Sequence, residues 1–157
     1  MPYPSKTIAN NFLQWDFQDG AASITPMKLQ KLVYMTHGWY LAVHNKPIIS
    51  EQFEAWPYGP VEDTLYHTFK QYKNSPISTY AKTWLGDKEV SYIVKKDNKK
   101  FYDIFNAVTA KYGSLSALHL SSLTHMPGTP WSATRASGQT YIPNDLIREH
   151  FQGLVNG

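Results

Sequence analysis

Between Ser23 and Asn45 the chain reads SITPMKLQKLVYMTHGWYLAVHN, and its apolar residues do not keep to one side. At 3.6 residues per turn, Leu29, Leu32, Val33, Thr36 and Tyr40 form one stripe, and Met35, Trp39 and Ala42 form a second. A helix that is apolar on most faces must be surrounded by other elements. The segment therefore predicts a central buried helix and limits the chain to folds with room for one. Thr25 followed by Pro26 supplies an N-cap and a first helical residue that needs no amide hydrogen bond. Gly38 costs about 1 kcal/mol of helix propensity relative to alanine, and close approach by a neighbouring element is the expected compensation. Lys28, Gln30 and Lys31 are expected to mark a wetter first turn.

The surrounding elements read as further helices. Ser5 is a candidate N-cap for a helix carrying Ile8, Phe12, Leu13 and Trp15 and ending near Asp19-Gly20. After a turn at Asn45-Lys46-Pro47, Ile48-Ile49 and residues 53–56 look like short extended pieces of a hairpin arm. Gly59-Pro60 is expected to open a helix through Val61, Leu65, Phe69 and Tyr72, with Glu62 and Asp63 in its first turn, where acids favour the dipole. Residues 77–100 are the least legible, with a possible strand where Val90, Tyr92 and Val94 alternate with other residues. Lys99 to Tyr112 is amphipathic and stops at Gly113. Ser114 is expected to cap a helix through Leu115, Leu118 and Leu123. HMPGTPWSATR reads as a loop broken by proline and glycine, and Pro143 starts a last helix. The expected fold is mainly α: a single compact domain over residues 1–157, with about six helices around the buried one and a minor β-hairpin. A chain of 157 residues can bury about two-thirds of its unfolded surface, and with aromatic residues at 15% much of that core must be ring packing.

Charge and residue types narrow the chemistry. Residues 66–100 hold eight lysines against three acids and no arginine, while residues 1–65 hold four basic residues against six acids. The middle is thus a basic segment, suited either to solvent or to an acidic partner. Without arginine it lacks the fork that reads phosphate, so nucleic acid is not the expected partner. The chain has no cysteine, which excludes thiol nucleophiles and cysteine zinc sites. It shows neither a charged leader followed by an apolar run nor an apolar stretch of about 18 residues, so a cytoplasmic protein with no membrane partner is expected.

No motif for catalysis or metal binding emerges. His37 and His44 are seven residues apart, about 10 Å along a helix at 1.5 Å per residue, too far to share one metal. GxSxG, GxGxxG, the P-loop and HExxH are absent. No catalytic residue, metal or cofactor is assigned. What stands out is FEAWPYGPVEDTLY, residues 53–66. Two prolines fix φ near −65° and Gly59 can take positive φ, so the turn holds Trp56 and Tyr58 with little freedom left to lose on binding. Tryptophan and tyrosine are enriched at interface hot spots. Packing of both rings beside Gly38 and Trp39 is the competing reading. Phe53 and Trp56 are expected to pack, and Tyr58 to face a partner. Glu54 lies among apolar neighbours, though strand alternation would turn it to solvent.

Three blocks carry a resemblance: ITPMKLQKLVYMTHGWYLA, FEAWPYGPVEDTLY, and LSSLTHMPGTPW with Arg135. Together they resemble the Panacea-domain family of SocA-like, phage-associated antitoxins, over about residues 7 to 153. The resemblance implies a mainly helical protein that neutralises a toxin encoded by the adjacent gene, in a family that pairs with toxins of unrelated kinds. No catalytic residue comes with the motif. The residues that match it and are taken as partner-binding are Lys31, His37, Glu54, Trp56, Tyr58, Tyr66, His125 and Trp131. Glu62-Asp63 departs from the more apolar residues expected there, which marks a place where partner choice could vary.

The reading favoured is an antitoxin of a bacterial or prophage toxin–antitoxin pair, acting by protein–protein binding. It would either block the toxin or, as a proteolytic adaptor, deliver it to a cellular protease. The alternatives are an enzyme using Glu54, His37 and His125, and a DNA-binding autoregulator. The second lacks a helix-turn-helix with an arginine-bearing recognition helix.

Overall fold

The computed structural model describes residues 1–156. Its helices are α1 (Ser5–Phe17), α2 (Pro26–His44), α3 (Asp63–Phe69), α4 (Lys99–Tyr112), α5 (Ala117–His125), α6 (Pro130–Ser137) and α7 (Asn144–Asn156). Two small antiparallel hairpins interrupt them: β1 (Glu54–Trp56) with β2 (Gly59–Val61), and β3 (Thr83–Leu85) with β4 (Lys88–Val90). The protein is mainly α, and α2 is the buried helix at its centre. It packs against α1, α3, α4, α5, α7 and β2.

The local signals for α2 hold. The Thr25 side chain accepts from Lys28 N at 3.3 Å, and Pro26 takes the first turn. At the other end, Asn45 adopts a left-handed conformation and its N–H bonds Leu41 O. Gly38 is where α7 comes closest. A Cβ there would overlap the Phe151 ring, and that ring also meets Trp39 at 5.3 Å and Tyr34 at 5.9 Å between centroids. Tyr34 meets Phe53 edge-on at 5.2 Å, so α2, α7 and the start of the first hairpin share one ring cluster.

Of the three residues expected to mark a wet first turn of α2, only Lys28 keeps an exposed part. Gln30 and Lys31 are buried, Lys31 at 1% exposure, because β2 and α5 cover them. Other boundaries also move. Pro4 precedes α1 and Ser5 is its first helical residue, its side chain fully buried. Gly59-Pro60 does not start a helix: it belongs to β2, and Glu62 caps α3 instead. Ser116 rather than Ser114 caps α5, with its hydroxyl accepting from His119 N at 3.1 Å. The PWSATR stretch is not a loop but α6, with Thr129 as N-cap and Pro130 in the first turn, the same device that starts α2.

Residues 77–98 form an arm before α4 whose two ends are held against α1. The Asn10 side chain bonds Ala81 N and O and Tyr92 O, and Asn11 Oδ1 accepts from Val94 N at 2.9 Å. Between those ends β3 and β4 stand out from the body, with Trp84 at 67% and Leu85 at 60% exposure. Among the described residues no helix is long and apolar enough to cross a membrane.

Gly38→Ala tests the α2–α7 contact. Helix propensity alone would favour alanine by about 1 kcal/mol, but the overlap with Phe151 outweighs it. The expected result is a net loss of about 1–3 kcal/mol in urea unfolding. In a Phe151→Ala background the same change is expected to be neutral or stabilising.

Candidate functional site

The first hairpin is gripped by its main chain. Gln30, from inside α2, makes two bonds to one residue of the strand exit: its Nε2 donates to Glu62 O and its Oε1 accepts from Glu62 N, both at 2.9 Å. Lys31 Nζ donates to Pro60 O at 2.9 Å. The tip is held from α5, where Ser121 Oγ donates to Tyr58 O at 2.7 Å. The β1 side is held from α6, where Trp131 Nε1 donates to Trp56 O at 2.6 Å and Arg135 Nη1 to Ala55 O at 3.1 Å. Ala55 N closes the outer edge by bonding Thr140 O at 2.8 Å. A two-stranded hairpin is marginal by itself, and its outward-facing groups would need water or partners. Here side chains from α2, α5 and α6 supply them.

Gly59 is required at the turn. Its φ is +115°, and a Cβ would meet Thr124 Oγ1 at 3.1 Å and Lys31 Cε at 3.3 Å. Pro60 has no amide hydrogen to lose, which suits a strand whose ladder is this short.

The candidate residues separate into three environments. Tyr58 (69% exposed) and Tyr66 (42%) face outward, and the half-buried Trp56 ring lies 4.8 Å from that of Tyr66. Trp131 and His125 are half-buried behind the turn, their rings 5.4 Å apart, with His125 Nδ1 3.3 Å from Ser121 Oγ. Glu54 is half-buried and its Oε1 accepts from Trp56 Nε1 at 3.3 Å. Lys31 and His37 are interior. His37 has no exposed surface; it lies against Phe53, and its Nε2 is 2.9 Å from Asn144 Oδ1. The structure therefore gathers Trp56, Tyr58, Tyr66 and Lys31 on one side of the hairpin, and does not bring His37, Glu54 and His125 into one constellation.

Those four residues line a groove between the start of α2, the hairpin and α3. It encloses about 320 Å³ and is floored by Met27, Leu29, Val61, Leu65 and Phe69, with Lys70 and Lys73 on its rim. The sequence reading missed Gln30, Ser121 and Glu62 as parts of this site. The available signal was a glutamine within an otherwise apolar helix, since a buried amide must find partners. Glu62 does not vary the partner surface. Its buried carboxylate caps α3, accepting from Thr64 N at 2.8 Å and Leu65 N at 3.2 Å, and it also accepts from the Ser5 hydroxyl.

Burial sets the charge states. It lowers Lys31 to about 7. It lowers His37 to about 4, against a smaller opposing effect of the Asn144 hydrogen bond. His37 is thus a neutral packing residue. Among the described residues no group of three or more histidine or acidic side chains could hold a metal ion.

The comparisons with known proteins fit this geometry. Residues 29–132 match the family described as "Antitoxin SocA-like, Panacea domain". This chain belongs to that family. The match takes in the groove-facing part of α2, the gripped hairpin, and α5 with Trp131. It is narrower than the expected span and leaves Arg135 outside. Antitoxin SocA of Caulobacter vibrioides (strain NA1000 / CB15N) is 30% identical over 110 residues, which is 69% of this chain. The chain spans 58% of that relative's length. No solved structure gives a significant match. In this Panacea domain the buried polar side chains of Gln30, Lys31 and Ser121 position the turn.

Two measurements check this account. Gln30→Leu leaves the Glu62 N–H unpaired, while its C=O keeps the bond from Tyr66 N at 3.1 Å, and is expected to cost about 1–3 kcal/mol and to accelerate hydrogen exchange at the Glu62 amide. For His37 the folded pKa lies below the unfolded value of about 6.5. Its contribution is therefore fully present above pH 6.5 and is lost as the pH falls towards about 4. The expected loss over that window is on the order of 3 kcal/mol. An NMR titration should find the His37 ring neutral until the lower end of that range.

Proposed function

We propose that this chain is an antitoxin that neutralises a cognate protein toxin, encoded by the adjacent gene, by direct binding through the face carrying Trp56, Tyr58 and Tyr66. The observation that carries this reading is Tyr58, a large ring at 69% exposure on a turn whose backbone is tied down at every side. An exposed aromatic residue gains little for the monomer. On a rigid turn it loses little conformational freedom when covered, which favours its use as an anchor. Family membership supports the antitoxin role, and the lysines of residues 66–100 suit an acidic surface and quicken association.

The test is co-expression with the product of the adjacent gene. Restored growth together with a stable complex supports neutralisation by direct binding. Restored growth with disappearance of the toxin supports delivery to a protease. A neighbour that is harmless by itself, or that kills despite this protein, defeats the proposal. Tyr58→Ala is expected to weaken the complex by about 1–3 kcal/mol while leaving the melting temperature unchanged. Equal affinity for the toxin in a titration would remove Tyr58 from the interface.

A further inference from the structure

The groove beside Tyr58 has a chemistry of its own. Its floor is apolar: Met27, Leu65 and Phe69 lie between the two walls. At about 320 Å³ it sits at the lower limit of small-molecule pockets, which run from roughly 300 Å³ upward. That is room for one large side chain rather than an extended ligand. Of the two amides that line it, Gln30 has both polar atoms committed to Glu62, and Asn74 stands exposed at the rim rather than on the floor. The floor thus offers nothing with which to read a nucleobase, and selects for an apolar group.

Its exposed charges have one sign. Lys70 and Lys73 line the groove, and among the described residues no acid does. Lys70 and Lys73 are exposed on the rim, one turn apart; Lys70 Nζ lies 3.4 Å from His67 Nδ1, and among the described residues neither lysine is in an ion pair with an acid. An occupant that brings carboxylates alongside its apolar group would meet both lysines.

We propose that the groove receives an acidic peptide segment of the toxin. One large apolar side chain fills the floor, and flanking Asp or Glu residues face Lys70 and Lys73. This rests on the antitoxin reading and deepens it by naming the chemistry of the partner's segment.

The test uses the full chain and a phage-displayed library of random dodecapeptides, so it does not depend on knowing the toxin. The expected result is enrichment of sequences with a large apolar residue beside Asp or Glu. The selected peptide, made synthetically, is expected to bind with a Kd that rises at least ten-fold in Lys70→Glu/Lys73→Glu. Both sites are exposed, so that variant should keep the native circular dichroism and melting temperature. The toxin is expected to displace the peptide. Three results would overturn the proposal: enrichment of neutral or basic sequences, no enrichment at all, or peptide binding that the double variant leaves intact. A toxin that binds without displacing the peptide overturns it as well, while leaving the antitoxin reading standing. Failure of co-expression to restore growth strikes the antitoxin reading instead, whatever the library yields.

Discussion

Two polar side chains inside an apolar helix, Gln30 and Lys31, organise this protein. Because α2 is covered on nearly every side, neither can reach water, and an unpaired buried amide or ammonium would be costly. The strand β2 and its exit solve that problem by offering Pro60 O and both main-chain groups of Glu62. The same bonds satisfy the outer edge of a hairpin too short to stand alone. Satisfaction is mutual, and it fixes where the hairpin lies along α2. Asn10 and Asn11 of α1 do the same for residues 81–94, at the root of the second arm. The fold thus carries its irregular segments on amide and amine side chains projected from helices.

The apolar half of α2 performs a different task. Gly38 lets α7 approach closely enough for Phe151 to lie on the helix backbone, and Phe151, Tyr34 and Phe53 then form a continuous set of rings. Phe53 immediately precedes β1, so the hairpin is anchored from both halves of α2: by rings at its entry and by hydrogen bonds at its exit. His37, one residue before Gly38, is part of this packing. Its neutrality follows from its position against Phe53 and Asn144, and any chemistry needing a charged or accessible imidazole would have to displace both.

What could be read from the sequence was what depends on local pattern. The stripe of Leu29, Leu32, Val33 and Thr36 and the Thr25-Pro26 start specify α2 without knowledge of its neighbours. The need for close approach at Gly38 also follows from helix propensity alone, though the identity of Phe151 does not. Errors arose where one signal serves two structures. Gly59-Pro60 before acids resembles a helix start, yet proline is equally at home on a strand edge. Thr129-Pro130 is the same cap as Thr25-Pro26, but the preceding Pro127-Gly128 made α6 read as a loop. Lys31 reads as a solvent residue because its charge is a property of the residue, whereas its burial is a property of β2 and α5. The candidate site was legible at Trp56, Tyr58 and Tyr66. Its groove was not, because Met27, Leu65 and Phe69 are brought together only by tertiary packing.

The way the hairpin is held bears on how such a domain can face different partners. Ser121, Trp131, Arg135, Gln30 and Lys31 all bond main-chain atoms of residues 55–62. A carbonyl oxygen is the same for every residue, so this grip does not depend on the side chain at position 58. Gly59 and Pro60 are constrained by φ and by the strand edge, and Glu62 by its cap on α3. Tyr58, Tyr66, Lys70 and Lys73 have no such structural duty: their outward faces contribute little to the core. Substitutions there change the surface at small cost in stability. A scaffold that fixes backbone and frees side chains can thus keep one turn geometry while altering the chemistry it presents. That leaves the exposed chemistry of the turn to residues that the interior does not need.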